Sequence, residues 1–78
     1  ERSRGRLRAA VHVLVDLLTV DPYHLEALVR LGGLLLEEGR LQAARIAFRR
    51  VLKFDPTHEA AAAGVQRIAR MAAAVRPG

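Results

Sequence analysis

The chain has 78 residues and a formal net charge of +5, and 51% of its residues are apolar, mostly Ala, Leu and Val. A chain of this length forms one small domain, and its apolar content is too high for a disordered segment. The absence of cysteine excludes disulfides and thiolate metal sites. No apolar run approaches the roughly 20 residues that cross a bilayer. We therefore expect a soluble, cytoplasmic protein.

Four amphipathic segments follow one another along the chain. Apolar residues recur at spacings of three and four, as they do on one face of a helix. The spacing predicts helices over 6–20, 23–38, 41–54 and 57–75. The connections are short, so neighbouring helices should lie antiparallel. The predicted fold class is all-α.

Glycine, proline and aspartate mark the expected breaks between these helices. The Asp-Pro pairs at 21–22 and 55–56 predict an aspartate cap followed by a proline in the first helical turn. Gly39 suits a left-handed helix end, and Gly5 takes the same place one repeat earlier. The pair Pro77-Gly78 is expected to end the last helix.

An internal repeat of 34 residues relates the two halves of the chain. When residues 5–38 are laid on residues 39–72, ten positions are identical, whereas typical residue frequencies give about three or four by chance. Repeats of this period are typical of stacked helical hairpins. The identical pairs are Gly5/Gly39, Arg6/Arg40, Leu7/Leu41, Ala9/Ala43, Ala10/Ala44, Leu18/Leu52, Asp21/Asp55, Pro22/Pro56, His24/His58 and Ala27/Ala61.

Residues 25–58 resemble one full tetratricopeptide repeat. The family pattern of large residues, Leu-Gly, Ala, an aromatic and Pro falls here on Leu28, Leu31-Gly32, Leu35, Ala44, Phe48, Val51 and Pro56. Residues 5–22 resemble the second helix of a preceding unit. Residues 59–76 resemble a terminal, capping helix, with Gln66 where a glycine is expected. The resemblance implies about four helices stacked as a short right-handed solenoid, with Gly32 and Ala44 allowing two helices to touch closely.

The first predicted helix is apolar on nearly all sides. A helix of this kind is usually buried all round, so another element should cover it. An upstream helix, a second copy of the chain or a different protein could do so. The residues concerned are Val11, Val13, Leu14, Val15, Leu17, Leu18 and Val20.

The family resemblance also implies a binding groove on the inner face of the solenoid. Within it, Val29, Gly33 and Leu36 would form an apolar strip opposite Arg67 and Arg70. This favours a protein partner that offers an amphipathic helix or an extended segment with some acidic residues. Packing against a neighbouring element of the same protein is an equally weighted alternative. The groove residues are Glu26, Val29, Arg30, Gly33, Leu36, Glu37, Ala63, Arg67 and Arg70.

Catalytic and metal chemistry is not indicated by the sequence. No hydroxyl residue stands beside a His and an acid in a known motif, so we expect no enzyme activity, no catalytic residues and no cofactor. The repeated His24 and His58 could in principle hold zinc, but equivalent points of stacked helices lie roughly 10 Å apart. We interpret them as surface residues repeated by duplication. Self-association and, with less support, nucleic-acid binding through the 12 arginines remain alternatives to binding another protein.

Overall fold

The computed structural model describes the backbone of residues 2–75 and the side chains of residues 5–74. It contains four helices: α1 (Arg2–Val20), α2 (Leu25–Glu37), α3 (Leu41–Phe54) and α4 (Glu59–Val75). The described part of the chain has no strand, which confirms the all-α prediction. The predicted bounds of the last three helices are correct to within two residues, and α1 begins four residues earlier than expected. The division into 5–22, 25–58 and 59–76 stays a prediction.

Helix α2 is the centre of the arrangement. It packs against α1 and α3, and more lightly against α4, while α3 also packs against α4. In the described part of the chain, α1 contacts neither α3 nor α4. The molecule measures 43 × 36 × 15 Å along its principal axes. A slab this thin leaves every helix with one side near solvent, as expected for a short helical solenoid.

The hydrophobic core lies between α2, α3 and α4. Among its side chains that the structure describes, helix α1 has none that is buried, and it touches the core through the half-buried Leu18. The core is therefore displaced from the middle of the chain, and α1 is the least covered helix. The buried apolar residues are Ala27, Leu28, Leu35, Leu36, Ala44, Ala47, Phe48, Val51, Ala61 and Ile68.

The ring of Phe48 is held between two glycines. A Cβ atom added to Gly32 would lie 2.7 Å from the ring, and one added to Gly64 would lie 2.6 Å from it. Gly32 does permit a close approach, as predicted, but the side chain that fills the space is Phe48 rather than the buried Ala44. On α4, the residue that lies against the Phe48 ring is Gly64. Position 66, where the family pattern expects a glycine, does not provide this contact. The ring, which belongs to α3, therefore packs against both α2 and α4 and stabilises the contact between the three helices.

The two Asp-Pro corners have the same structure. A side-chain oxygen of Asp21 accepts a hydrogen bond from the backbone N–H of Tyr23 at 3.3 Å, and Asp55 does so from Thr57 at 3.2 Å. The aspartates therefore stabilise the turn that precedes the helix. The prediction that they cap the helix is wrong, and the prolines lie in the turn rather than in the first helical turn.

Histidine side chains cap α2 and α4. The Nδ1 atom of His24 accepts a hydrogen bond from the N–H of Ala27 at 3.1 Å, and His58 accepts one from Ala61 at 3.2 Å. Each bond satisfies an amide that has no partner within its own helix. The two histidines are half-buried. Their repetition therefore reflects a structural role in each repeat, which the interpretation as idle surface residues missed.

Gly39 ends α2 in the way its position predicts. Its φ angle is +77°, and its N–H donates to the carbonyl of Leu36, while the N–H of Arg40 donates to Leu35. This pattern is the Schellman motif, which favours glycine because the backbone is left-handed. Gly5 lies inside α1 instead of before it, so the expectation that it repeats this role is wrong. The predicted helix end at 77–78 lies outside the described residues.

Candidate functional site

The α2 members of the predicted groove differ in their accessibility. Glu26, Arg30 and Glu37 are exposed, and Val29 and Gly33 are half-buried. Leu36 is only 9% exposed and belongs to the core cluster. Leu36 therefore stabilises the fold, and a partner would contact little of it. The apolar strip that remains on this face is shorter than predicted.

The α4 members of the groove form a cationic face. Ala63, Arg67 and Arg70 are all exposed and follow one another at spacings of four and three, which places them on one side of α4. Within the described residues, the one ion pair joins Arg40 to Glu38 at 3.9 Å. The guanidinium groups of Arg67 and Arg70 thus remain available to an anionic ligand.

A cleft runs between α1 and α2 and has a volume of about 580 Å³. A smaller cleft of about 180 Å³ continues it toward the start of α2. We call the two together the α1–α2 cleft. Its walls are apolar on the α1 side and mixed on the α2 side. The lining residues are Ala10, Val13, Leu14 and Leu17 of α1, His24, and Glu26, Ala27, Arg30, Gly33, Leu34 and Glu37 of α2.

The structure divides the predicted groove between two places. Four of its members, Glu26, Arg30, Gly33 and Glu37, line the α1–α2 cleft. The α4 members lie on the far side of α2 from α1 and are not part of that cleft. The sequence indicated which residues of α2 are accessible, but not that α1 would form the opposite wall.

Gly33 lies in the interior of α2 with free space around it. A Cβ atom added there would meet no atom of a neighbouring element within 4 Å. A glycine inside a helix costs about 1 kcal/mol of stability relative to alanine. Gly32 is explained by the Phe48 ring, whereas nothing within the described chain requires a glycine at position 33. The pair Gly32-Gly33 therefore combines a structural glycine with one that lines the α1–α2 cleft.

A second cleft, which was not predicted from the sequence, lies between α1 and α3. Residues of α2 also line it, and its volume is about 390 Å³. Its lining is almost entirely apolar, including Val15, Leu31 and Ile46, with Arg50 as the one charged residue that lines it. It exists because α1 and α3 stand apart, a spacing that no sequence motif records. Helix α3 beside it carries four cations and no acidic residue.

Among the described residues, no group of three or more His, Asp or Glu side chains could hold a metal ion. None of the helices described combines the length and the apolar character that crossing a membrane requires.

Comparison with known proteins places the chain in a family. No solved structure matches it significantly. A family model described as tetratricopeptide repeat matches residues 2–68, which include α1, α2, α3 and more than half of α4. Repeats of this kind are generally protein–protein interaction modules, and the four stacked helices agree with the match. The chain belongs to the tetratricopeptide repeat family.

Proposed function

We propose that this chain is a protein-interaction module that binds an amphipathic helical or extended segment with some acidic residues. The proposed surface follows the exposed side of α2 and continues onto the cationic face of α4. The observation that carries the proposal is Gly33, a glycine in mid-helix at an accessible cleft with no neighbour that needs the space.

The space above Gly33 allows a ligand to approach the backbone of α2 closely. A side chain at this position would occupy part of the cleft, whereas glycine leaves that volume free for a ligand. The half-buried Val29 lies one helical turn before it, so the two residues offer an apolar strip to an apolar face of the ligand. Binding of an amphipathic helix in a groove works through such contacts.

The charges around this strip favour a ligand with acidic residues. Arg67 and Arg70 on α4 and Arg30 on α2 are exposed. Arginine can bind a carboxylate through two parallel hydrogen bonds, which gives both affinity and orientation. Glu26 and Glu37 at the edge of the same surface would orient a ligand that carries both signs of charge.

Peptide selection followed by NMR tests this proposal directly. A library of randomised 16-residue peptides is selected against the chain, and the recovered peptide is titrated into the isotopically labelled protein. We expect the amide shifts of Val29, Gly33 and Ala63 to change most. Arg67→Glu should weaken the binding about tenfold, because an attraction becomes a repulsion.

The matched control is Arg45→Glu, the same change of charge at an exposed position on α3. It should leave the affinity within about twofold, because exposed charges beyond a Debye length are largely screened. A second variant, Gly33→Leu, should reduce binding by filling the floor of the cleft. Shift changes confined to α3, or equal losses from Arg67→Glu and Arg45→Glu, would contradict the proposal.

A further inference from the structure

One face of α1 repeats a face of α3 that is buried. Shifting by the repeat length of 34 places Ala10, Val13, Leu14 and Leu17 on Ala44, Ala47, Phe48 and Val51. All four α3 residues are buried in the packing with α2. Two of their counterparts are exposed: Val13 is 66% exposed where Ala47 is 5% exposed, and Leu17 is 39% exposed where Val51 is fully buried. The other two, Ala10 and Leu14, are half-buried.

The α2 wall of the cleft shows the same correspondence. Its residues Ala27, Arg30, Leu34 and Glu37 fall on Ala61, Gly64, Ile68 and Met71 of α4. Of these α4 residues the first three are buried and Met71 packs against the core. The eight compared positions that line the α1–α2 cleft are thus the repeat counterparts of α3 and α4 residues that are buried or pack against the core. The cleft could therefore accept one further helix that resembles α2, and we call it the seat.

We propose that α4 of a second copy of this chain occupies this seat. Helix α4 is the repeat counterpart of α2, so it has the right type of face. That face consists of Ala62, Val65, Gln66 and Ala69, the counterparts of Leu28, Leu31, Gly32 and Leu35, which pack on α3. All four are exposed or half-buried in the single chain. Within the described chain, Val65 of this face packs against the core, whereas Gln66 and Ala69 are exposed and available to a further helix.

The sizes of the side chains on the two faces are complementary. The seat carries Val13 and Leu17 where α3 carries the smaller Ala47 and Val51. The face of α4 carries Ala62 and Ala69 where α2 carries two leucines. Gln66 replaces Gly32, and it would meet Leu14 in place of the larger Phe48. Larger residues on one side thus meet smaller residues on the other, which conserves the packed volume.

One pair of opposite charges is expected across this interface, although the cleft is also lined by Arg30. Leu36 lies in one core cluster with Ile68, and Met71 packs against that cluster. By the repeat of 34 residues, Leu36 of α2 corresponds to Arg70 of the α4 helix that occupies the seat. Ile68 and Met71 of α4 correspond to Leu34 and Glu37, which line the seat. We infer that Arg70 of one copy and Glu37 of the next lie on the same side of this interface, which the charge exchange below tests. The inference goes beyond the proposed function, because α4 is a cationic helix whereas the segment proposed above carries acidic residues, although both would use part of the same α2 surface.

The resulting contact joins α4 of one copy to α1 and α2 of the next. Because the two surfaces are different, the interface is heterologous and can extend into an open row of copies. The α4 face is small and rich in alanine, so each contact should be weak and depend on concentration.

Sedimentation at increasing concentration tests the proposal. From about 10 µM to about 1 mM, the range where small interfaces associate, the 78-residue chain should grow beyond a dimer. Val13→Glu in the seat and Ala69→Glu on α4 should each reduce the association constant at least about tenfold, because each places a charge in the apolar contact. Ile46→Glu is the control: Ile46 is 61% exposed on α3 and lies outside both faces. A chain that remains monomeric at 1 mM would overturn the proposal.

Mixing the two variants separates this interface from a symmetric one. The Val13→Glu chain keeps an intact α4, and the Ala69→Glu chain keeps an intact seat. Together they should form a complex of twice the 8.6 kDa chain mass and nothing larger. A symmetric interface through α1 alone predicts instead that the Ala69→Glu chain, measured by itself, dimerises as readily as the unchanged chain, and that result would reject the role of α4.

A charge exchange tests the predicted pair. Glu37→Arg and Arg70→Glu should each weaken association about fivefold, and the chain with both changes should recover it, because the pair is restored with the opposite sign. If association does not recover in the double variant, the two residues are not in contact across the interface. The peptide titration proposed above is repeated on the monomeric Ala69→Glu chain, whose groove residues are unchanged. Peptide binding without self-association, or the reverse, then shows which of the two proposals has failed.

Discussion

Helices α1 and α3 are repeat counterparts, yet their surroundings differ. Helix α3 packs between α2 and α4 and contributes four buried residues, whereas α1 packs against α2 alone and has no buried residue among its described side chains. Both helices have an apolar face of the same register. The difference therefore comes from the neighbours that each helix has, and it is not visible in the residues of the helix itself.

This contrast explains why the apolar surface of α1 has two parts. One part, around Leu18, packs against the core as its counterpart Leu52 does. The other part, around Val13 and Leu17, has no neighbour in the described chain although its counterparts do. Exposed apolar surface of this extent usually marks a contact with another protein. Changing matched residues on the two helices shows how much of the stability each neighbourhood provides.

The largest expected difference is between Phe48 and its counterpart Leu14. Phe48→Ala removes the ring that α2 and α4 enclose, and deletion of a buried phenylalanine costs about 3–5 kcal/mol. Leu14→Ala should cost about 1–2 kcal/mol, because Leu14 is half-buried and leaves no closed cavity. Urea unfolding followed by circular dichroism at 222 nm measures both. Equal losses would mean that α1 is as well covered as α3.

An intermediate effect is expected at the two adjacent glycines of α2. Gly32 faces α3, and Gly33 lines the cleft beside α1. Gly32→Ala should destabilise the chain by about 1–3 kcal/mol, because its methyl group would overlap the Phe48 ring, which Gly64 blocks from behind. Gly33→Ala should instead stabilise the chain by up to about 1 kcal/mol through helix propensity. Thermal unfolding of the two variants shows whether each change raises or lowers the stability. A change in the same direction for both variants would contradict the different roles assigned to the two glycines.

The smallest effect is expected at the histidine caps, which the two repeats share. His24→Ala and His58→Ala should each cost about 1 kcal/mol, the usual loss when a helix cap is removed. Asn at either position should restore most of the loss, because its side-chain oxygen can accept the same hydrogen bond. His12→Ala on the exposed side of α1 is the control and should change the unfolding free energy by less than about 0.5 kcal/mol. Losses that Asn does not restore would argue against capping.

Much of the fold could be predicted from the sequence. The repeat of 34 residues and the helical spacing located four helices, and Gly39 marked a helix end correctly, because these features depend on local geometry. The corners were located correctly but interpreted wrongly. Asp and His both suit the region before a helix, and only the hydrogen bonds show that Asp21 stabilises the turn and His24 caps the helix.

The candidate site was harder to predict than the fold. The family resemblance selected Glu26, Arg30, Gly33 and Glu37, and the structure shows that they line a cleft with α1. It also selected Leu36, which the structure places in the core. A groove pattern records which side of a helix is concerned, but burial depends on how closely the next helix approaches. The cleft between α1 and α3 could not be predicted either, because it is a gap between two helices whose backbones stay apart.

The sequence by itself determined the helices, their corners and the repeat that relates them, because hydrophobic period, glycine and proline act within a few residues of the chain. Only the tertiary structure decided which apolar faces are covered. It placed Phe48 between Gly32 and Gly64, buried Leu36 and left the matching face of α1 open. Burial depends on the distance between helices that are far apart in sequence, and no local pattern contains that distance.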